Sequence, residues 1–415
     1  MSRSFAWWFS VPLWQRILGA LLLGAALGYG IGPDIAGIRW IGDLFIRMIR
    51  MLIAPLVFVT LVSGVVSMPS PGRIASIGLK AMALYLATTF FAILIGLGLA
   101  VALAPGVGVD LSTMSGDGVK LADAMPLGER MMAIVPQNVF EAFARGDVLA
   151  IIFFSLLLGT GIVLAGEAAA PVKRLFVAAS DVMLKMTGIV MEVAPFGVFA
   201  LVAWLMGTEG PAALVNVLKL AAIVYLGGLI HMLVVHGGLV RLIAGMGLGT
   251  FLHGVRTPQL LAFSTSSSAA TLPASLTAAK TQLGIGAPIA SSVLPLGATV
   301  NMDGTALYVA AVAIFAAQVF GIPLTLGDYG LIALTTALVS VGTAAVPSAS
   351  LFLLAAVLEV IGVSGAQIGL VIGFVLPFDR LLDMWRTTVN VTGDLAVATA
   401  VAASEGELDP PVRLD

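Results

Sequence analysis

The 415-residue chain has no cysteine, which removes disulfides, thiolate metal centres and cysteine nucleophiles from consideration. Charge is also scarce. Only 10% of residues are Asp, Glu, Lys or Arg, and the formal net charge is −2, so nothing marks nucleic acid as a partner. What remains is largely apolar. With 60% hydrophobic residues and a mean hydropathy of +1.09, the chain carries far more apolar side chain than one soluble core can bury, and an all-α polytopic membrane protein is expected. Apolar runs such as Ile17–Ile31, Ala81–Leu103, Leu149–Ala165, Leu218–Val235 and Leu351–Val363 are separated by short polar breaks, and the longest approach the roughly 20 residues that cross a bilayer.

The start of the chain has Arg3 followed by Trp7, Trp8 and Trp14. This pattern reads as an interfacial anchor, with no small-residue cleavage site of a removable signal peptide. Arg16, Arg73, Lys80, Lys173, Arg174, Arg241, Arg256 and Lys280 can share one side with Arg3, and the positive-inside rule makes that side cytoplasmic. Both termini are then cytoplasmic, in a multi-pass protein of the cell (inner) membrane. The polar stretch GVGVDLSTMSGDGVKLADAMPLGER becomes an external loop.

Beyond about residue 250 the apolar segments are interrupted by small polar clusters, STSSSAATLP at Ser264–Pro273 and SVGTAAVPSAS at Ser340–Ser350. Each is flanked by apolar arms too short to cross comfortably alone, so each reads as a re-entrant helical hairpin with its tip at membrane depth. A polar signature inside a helix follows each tip, NMDGT at Asn301–Thr305 and DRLLDMWRTTVNVTGD at 379–394. Matched pairs of broken segments are the mark of an inverted-repeat secondary transporter, with the substrate held between the repeats.

On an α-helix, Asp379, Asp383, Arg386, Asn390 and Asp394 fall within an arc of about 80° and extend over roughly 22 Å. Ionisable groups at this depth cost a few kcal/mol each, so such a stripe points to partners or to function. Its three aspartates and one arginine, with Asp303 added, leave three uncompensated negative charges. A hard cation held by oxygen ligands would meet that deficit, and so would a proton on an aspartate. Arg386 suits an organic carboxylate and Asp383, one turn away, an ammonium. Arg380 lies to the side of the stripe, where it can reach the interface or a loop. His231 and His236 are five residues apart, on different faces of an α-helix, and are read as packed or interfacial rather than as metal ligands.

The motifs SSSAATLP, NMDGTALY, GTAAVP and DMWRTTVNVTGD, with IRMIRMLIAPLVFVTLVSGVVSM nearer the start, resemble those of the dicarboxylate/amino acid:cation symporters, the family of glutamate and aspartate transporters. The resemblance covers nearly the whole chain. It implies eight transmembrane helices plus two re-entrant hairpins in a homotrimer that works as an elevator. Residues 1–72 and 146–210 would form the scaffold. Residues 73–145, with the third helix and the external loop, and 211–415, with helix 6, both hairpins and helices 7 and 8, would form the transport domain.

By position in the motifs, the resemblance implies that Arg386 and Thr305 hold a side-chain carboxylate, Asp383 the amino group, and Asn390 with Ser268 the α-carboxylate, with Ser267, Val346, Ser350 and Thr387 completing the substrate site. It likewise implies three sodium sites. One comprises Asp394 and Asn390 with Gly297 and Asn301. A second comprises Asp303, Asn301 and Met302 with Tyr85, Thr88 and Thr89. The third uses carbonyls of Thr299, Ser340, Val341 and Thr343. The chain departs from the family pattern at Ala345 and Ser350, where the second tip normally has glycine, and at Trp385, usually a smaller position. Sodium-coupled uptake of aspartate or glutamate is the expected activity. Alternatives are proton-coupled glutamate or C4-dicarboxylate symport and neutral amino acid carriage. An intramembrane aspartyl protease is remote, because Asp394 sits in Val391-Thr-Gly-Asp394 rather than in a Gly-x-Gly-Asp setting.

Overall fold

A computed structural model describes residues 11–66, 73–109, 132, 135–208, 210, 212–340 and 350–409. The α-helices among them are α1 (Leu13–Ile31), α2 (Arg39–Val66), α3 (Arg73–Leu103), α4 (Val139–Arg145), α5 (Val148–Ala165), α6 (Ala170–Met191), α7 (Ala194–Thr208), α8 (Ala212–Ile230), α9 (Gly237–Ile243), α10 (Leu248–Thr265), α11 (Ser268–Thr281), α12 (Ala287–Val300), α13 (Asp303–Val319), α14 (Leu326–Ser340), α15 (Ser350–Val360) and α16 (Gly365–Glu405). No strand occurs among the described residues, only one bridge between Ile285 and Leu408. The expected tip residues Val341, Thr343, Ala345 and Val346 lie outside the described residues.

Five stretches among the described residues are long and apolar enough to cross a membrane: Gln15–Val66, Ser76–Leu103, Ala150–Met191, Val217–Ile243 and Ala287–Val319. Leu22, Leu23, Trp40, Leu79, Phe90 and Leu175 are among many large apolar side chains left exposed along them, as a lipid-facing surface requires. α1 packs along α7, and α2 along α5, α6 and α7. Arg16 near the start of α1 closes on Glu192 past the end of α6, with N–O 2.7 Å.

The second group of helices surrounds α13, in which every residue from Asp303 to Ala317 is buried. Its alanines leave little bulk, and α3 lies directly on it. A Cβ at Gly96 would overlap the Leu307 carbonyl, and one at Gly106 the Phe315 carbonyl. α16 is the longest element. Its 41 residues span about 62 Å at 1.5 Å per residue, and it packs against α10, α12 and α13. Trp385 on α16 is structural: its indole N–H donates to the Val224 carbonyl at 3.1 Å, and the ring stacks on Tyr225.

Three departures from regular helix shape this core. α10 ends at Thr265, Ser266 takes a left-handed conformation with φ 51°, and Ser267 caps α11 by accepting from the Ala270 amide. The chain thus turns back between two helices of 18 and 14 residues. Between α12 and α13, Asn301 and Met302 leave the helix with φ/ψ of −89°/90° and −116°/49°. Between α8 and α9, His231–His236 form a π-helical turn, whose i→i+5 bonding widens the helix by part of a residue.

Candidate functional site

α16 presents its polar groups to the interior. Asp379, Asp383, Arg386, Thr387, Asn390 and Asp394 are all buried, since their spacing keeps them on the face turned to α10, α12 and α13. Arg386 Nη2 donates to Asp379 Oδ1 and to Asp383 Oδ1, each at 2.9 Å. Its guanidinium carbon lies 3.9 Å from the centroid of the Tyr308 ring. Arg386 Nε and Nη1 have no hydrogen-bond partner. Nη2 is therefore satisfied within the helix, while Nε and Nη1 are left as donors.

Arg380 does not run to the interface or to a loop. It is buried, with Nη1 3.9 Å from Asp383 Oδ2, because three residues of helix bring the two side chains together. The charge count of the sequence changes accordingly. Asp379 and Asp383 stand against Arg380 and Arg386, so this half of the stripe balances, and the deficit resides in Asp303 and Asp394.

Asp394 Oδ1 accepts from Asn301 Nδ2 at 3.0 Å, and the same amide nitrogen lies 3.3 Å from the Asn390 carbonyl. Asn390 Oδ1 accepts the Gly304 amide at 2.7 Å, and its Nδ2 reaches only the Met302 thioether, at 3.2 Å. The freed groups of the α12–α13 break are thus met by side chains of α16. Gly297 sits where any Cβ would strike the Tyr85 hydroxyl and Asp394 Oδ1, and its carbonyl takes the Asn301 N–H at 2.8 Å. Tyr85 donates to the Val293 carbonyl at 3.1 Å. Thr299 and Ser340 occupy the last turns of α12 and α14, where helix carbonyls lack intrahelical donors.

Asp303 gathers more donors than any other carboxylate described. Thr89 donates to Oδ1 at 2.7 Å and Thr88 lies 3.3 Å from it, while His231 Nε2 and His236 Nε2 both lie on Oδ2, at 3.0 and 2.9 Å. This corrects the reading of the histidines. An α-helix sets residues five apart at about 140° from each other, but the π-turn places them on one face, with the two rings edge to face at 4.4 Å. The signal was present in the sequence, since two of only three histidines in the chain fall inside one apolar span, and ionisable residues there are functional candidates by default.

Of the remaining substrate candidates, Ser268, Thr305 and Ser350 are buried, and the Ser350 hydroxyl has no partner. Ser266, at the first tip, is likewise buried with an unpartnered hydroxyl. α11 and α15, which begin at these serines, both pack against α16.

Apolar helices closed around a buried, charged face with an interrupted helix beside it are the architecture of a membrane carrier for a small polar solute. The chain belongs to the sodium:dicarboxylate symporter family, whose model matches residues 13–404. It is 36% identical over 405 residues to the proton/sodium-glutamate symport protein of Bacillus subtilis, covering 95% of this chain and 93% of that one. It is 36% identical over 399 residues to the proton/glutamate-aspartate symporter of the same organism, covering 94% of each chain. It is also 33% identical over 405 residues to C4-dicarboxylate transport protein 2 of Mesorhizobium japonicum, covering 96% and 90%.

Proposed function

We propose that this membrane symporter carries acidic amino acids, aspartate or glutamate, driven by sodium. The observation that carries the reading is Arg386, a fully buried guanidinium with two donor nitrogens, Nε and Nη1, left without a hydrogen-bond partner. A substrate carboxylate can take a charge-assisted hydrogen bond from either nitrogen. Asp383, which accepts from the same guanidinium, would receive an ammonium, with Thr387 next to Arg386 on α16 and Thr305 next to Gly304, where α13 meets the Arg386 backbone. Asn390 Nδ2 holds only a thioether, and a substrate α-carboxylate would be a stronger acceptor for it, with Ser268 at the N-terminus of α11 as second donor. Ser267 serves mainly as the helix cap.

Sodium binding is supported by oxygen-rich surroundings at Asp394, Asn301, Asn390 and Gly297, and by the helix-end carbonyls of Thr299 and Ser340, with Val341 and Thr343 completing that second set. The dense packing of α1 on α7 and of α2 on α5, α6 and α7, with α15 and α16 lying against this group, supports a static scaffold at 1–72 and 146–210 and a moving unit at 73–145 and 211–415 that slides along it. In this reading the arms α10–α11 and α14–α15 are re-entrant hairpins, the protein is a trimer in the cell membrane with cytoplasmic termini, and transport proceeds by an elevator movement.

Uptake of labelled aspartate, glutamate, malate and serine into proteoliposomes, with sodium or proton gradients imposed separately, tests the reading. Sodium should drive aspartate or glutamate uptake, and malate should compete poorly, because it would leave Asp383 without its ammonium partner. Competition by malate equal to that by aspartate would make the chain a dicarboxylate carrier. Full uptake on a pH gradient without sodium would reject sodium coupling.

A further inference from the structure

We propose that His231 and His236 replace a co-transported cation at Asp303, so that the carrier couples to one sodium ion fewer than the oxygen set around this carboxylate would otherwise hold. The inference deepens the sodium-symport reading and rests on it for the identity of the ion.

A carboxylate offers about four lone-pair positions. At Asp303, Oδ2 faces His231 Nε2 at 3.0 Å and His236 Nε2 at 2.9 Å. A carboxylate oxygen only accepts, so both rings present Nε2–H to it. On Oδ1, Thr89 donates at 2.7 Å, and Thr88 approaches at 3.3 Å while its single proton is also within reach of the Tyr85 carbonyl at 3.0 Å. Sodium would need lone pairs aimed inward, from the carboxylate and from both threonines. Here Oδ2 is engaged by both rings and Oδ1 by the Thr89 proton, while the Thr88 proton has the Tyr85 carbonyl as its nearer acceptor. All four side chains are buried, and the π-turn that brings both rings to one oxygen is maintained despite the poorer geometry of such a turn.

A transition metal held by His231, His236 and Asp303 is the other chemistry that these residues could serve. Its mark would be a second acceptor on each ring, since ligating histidines donate their far N–H to a carboxylate or carbonyl. Neither His231 Nδ1 nor His236 Nδ1 has a partner. The arrangement is that of two hydrogen-bond donors on one anion.

The experiment measures aspartate affinity of the purified, reconstituted protein against sodium concentration at fixed pH and ionic strength. It compares the intact chain, His231→Ala/His236→Ala, Asp303→Asn, and the triple variant. By linkage, each coupled ion adds about a further tenfold in affinity per tenfold in sodium. Removing both imidazoles should raise the logarithmic slope by about one, and adding Asp303→Asn should cancel that gain. In the intact background Asp303→Asn should leave the slope unchanged, whatever it does to affinity. A slope lowered by about one in Asp303→Asn would overturn the proposal, as would a histidine variant that binds aspartate with the parent slope. Stoichiometric zinc in the intact protein, lost in the histidine variant, would also overturn it. If the histidine variant does not fold, Asp303→Asn alone decides. A parent slope of zero would defeat sodium coupling in the intact chain, yet a slope gained on removing the histidines would still uphold the inference.

Discussion

At the residue scale, Arg386 is held by two aspartates of its own helix before any solute arrives. Arg386→Cys should abolish aspartate uptake, since stranding a buried carboxylate costs about 3–5 kcal/mol, a loss of at least two orders of magnitude in affinity. Competition by cold aspartate against a labelled neutral amino acid would read it, and near-normal aspartate affinity would refute the clamp. Gly304 faces the Arg386 backbone so closely that a Cβ would lie 2.5 Å from its carbonyl oxygen and 2.8 Å from its Cα. Gly304→Ala should therefore cost about 1–3 kcal/mol of overpacking, seen as a lower unfolding temperature in detergent and a weaker affinity for aspartate. Arg386, Asp383 and Asn390 could be read from the sequence because helical spacing alone puts them on one face. Arg380 was misjudged, since angular position on a wheel says nothing about a long side chain folding back along its own helix.

At the element scale, the interrupted helix and the first turn-back were readable because NMDGT and STSSSAATLP place polar, small residues where lipid forbids open backbone. The π-turn was not. Its sequence, HMLVVH, carries no backbone signal, and what holds the extra width is the partner Asp303, 67 and 72 residues further on. Inserting one alanine after Leu233 sets the imidazoles six residues apart, about 120° from each other on a regular helix, and should turn one away from Asp303 and lower the unfolding temperature by several degrees. A like insertion in the loop between α9 and α10 should do much less. Differential scanning fluorimetry of both insertions checks this, and equal shifts would mean that the turn is incidental.

At the scale of the whole molecule, the elevator reading predicts that tying α2 to α16 stops transport without stopping binding. A Cβ at Gly373 would lie 3.2 Å from Ile46 Cδ1, and the chain has no native cysteine to interfere. Ile46→Cys/Gly373→Cys bridged by mercuric ion should lose uptake and regain it with excess thiol, while still binding aspartate. Persistent uptake in the bridged form would dismiss relative movement of these elements. Membrane class was plain from composition, but the grouping of helices was not, because every apolar segment looks alike until its neighbours are known.

Asn390 holds both lips of the α12–α13 break: its carbonyl takes Asn301 and its amide oxygen takes the Gly304 N–H. A ligand that recruits either Asn301 or the Asn390 side chain must renegotiate the other contact. In the proposed symport, ion and solute occupancy would then communicate through a single residue, its main-chain carbonyl on one lip and its side chain on the other, and loading order would become a property of that one position.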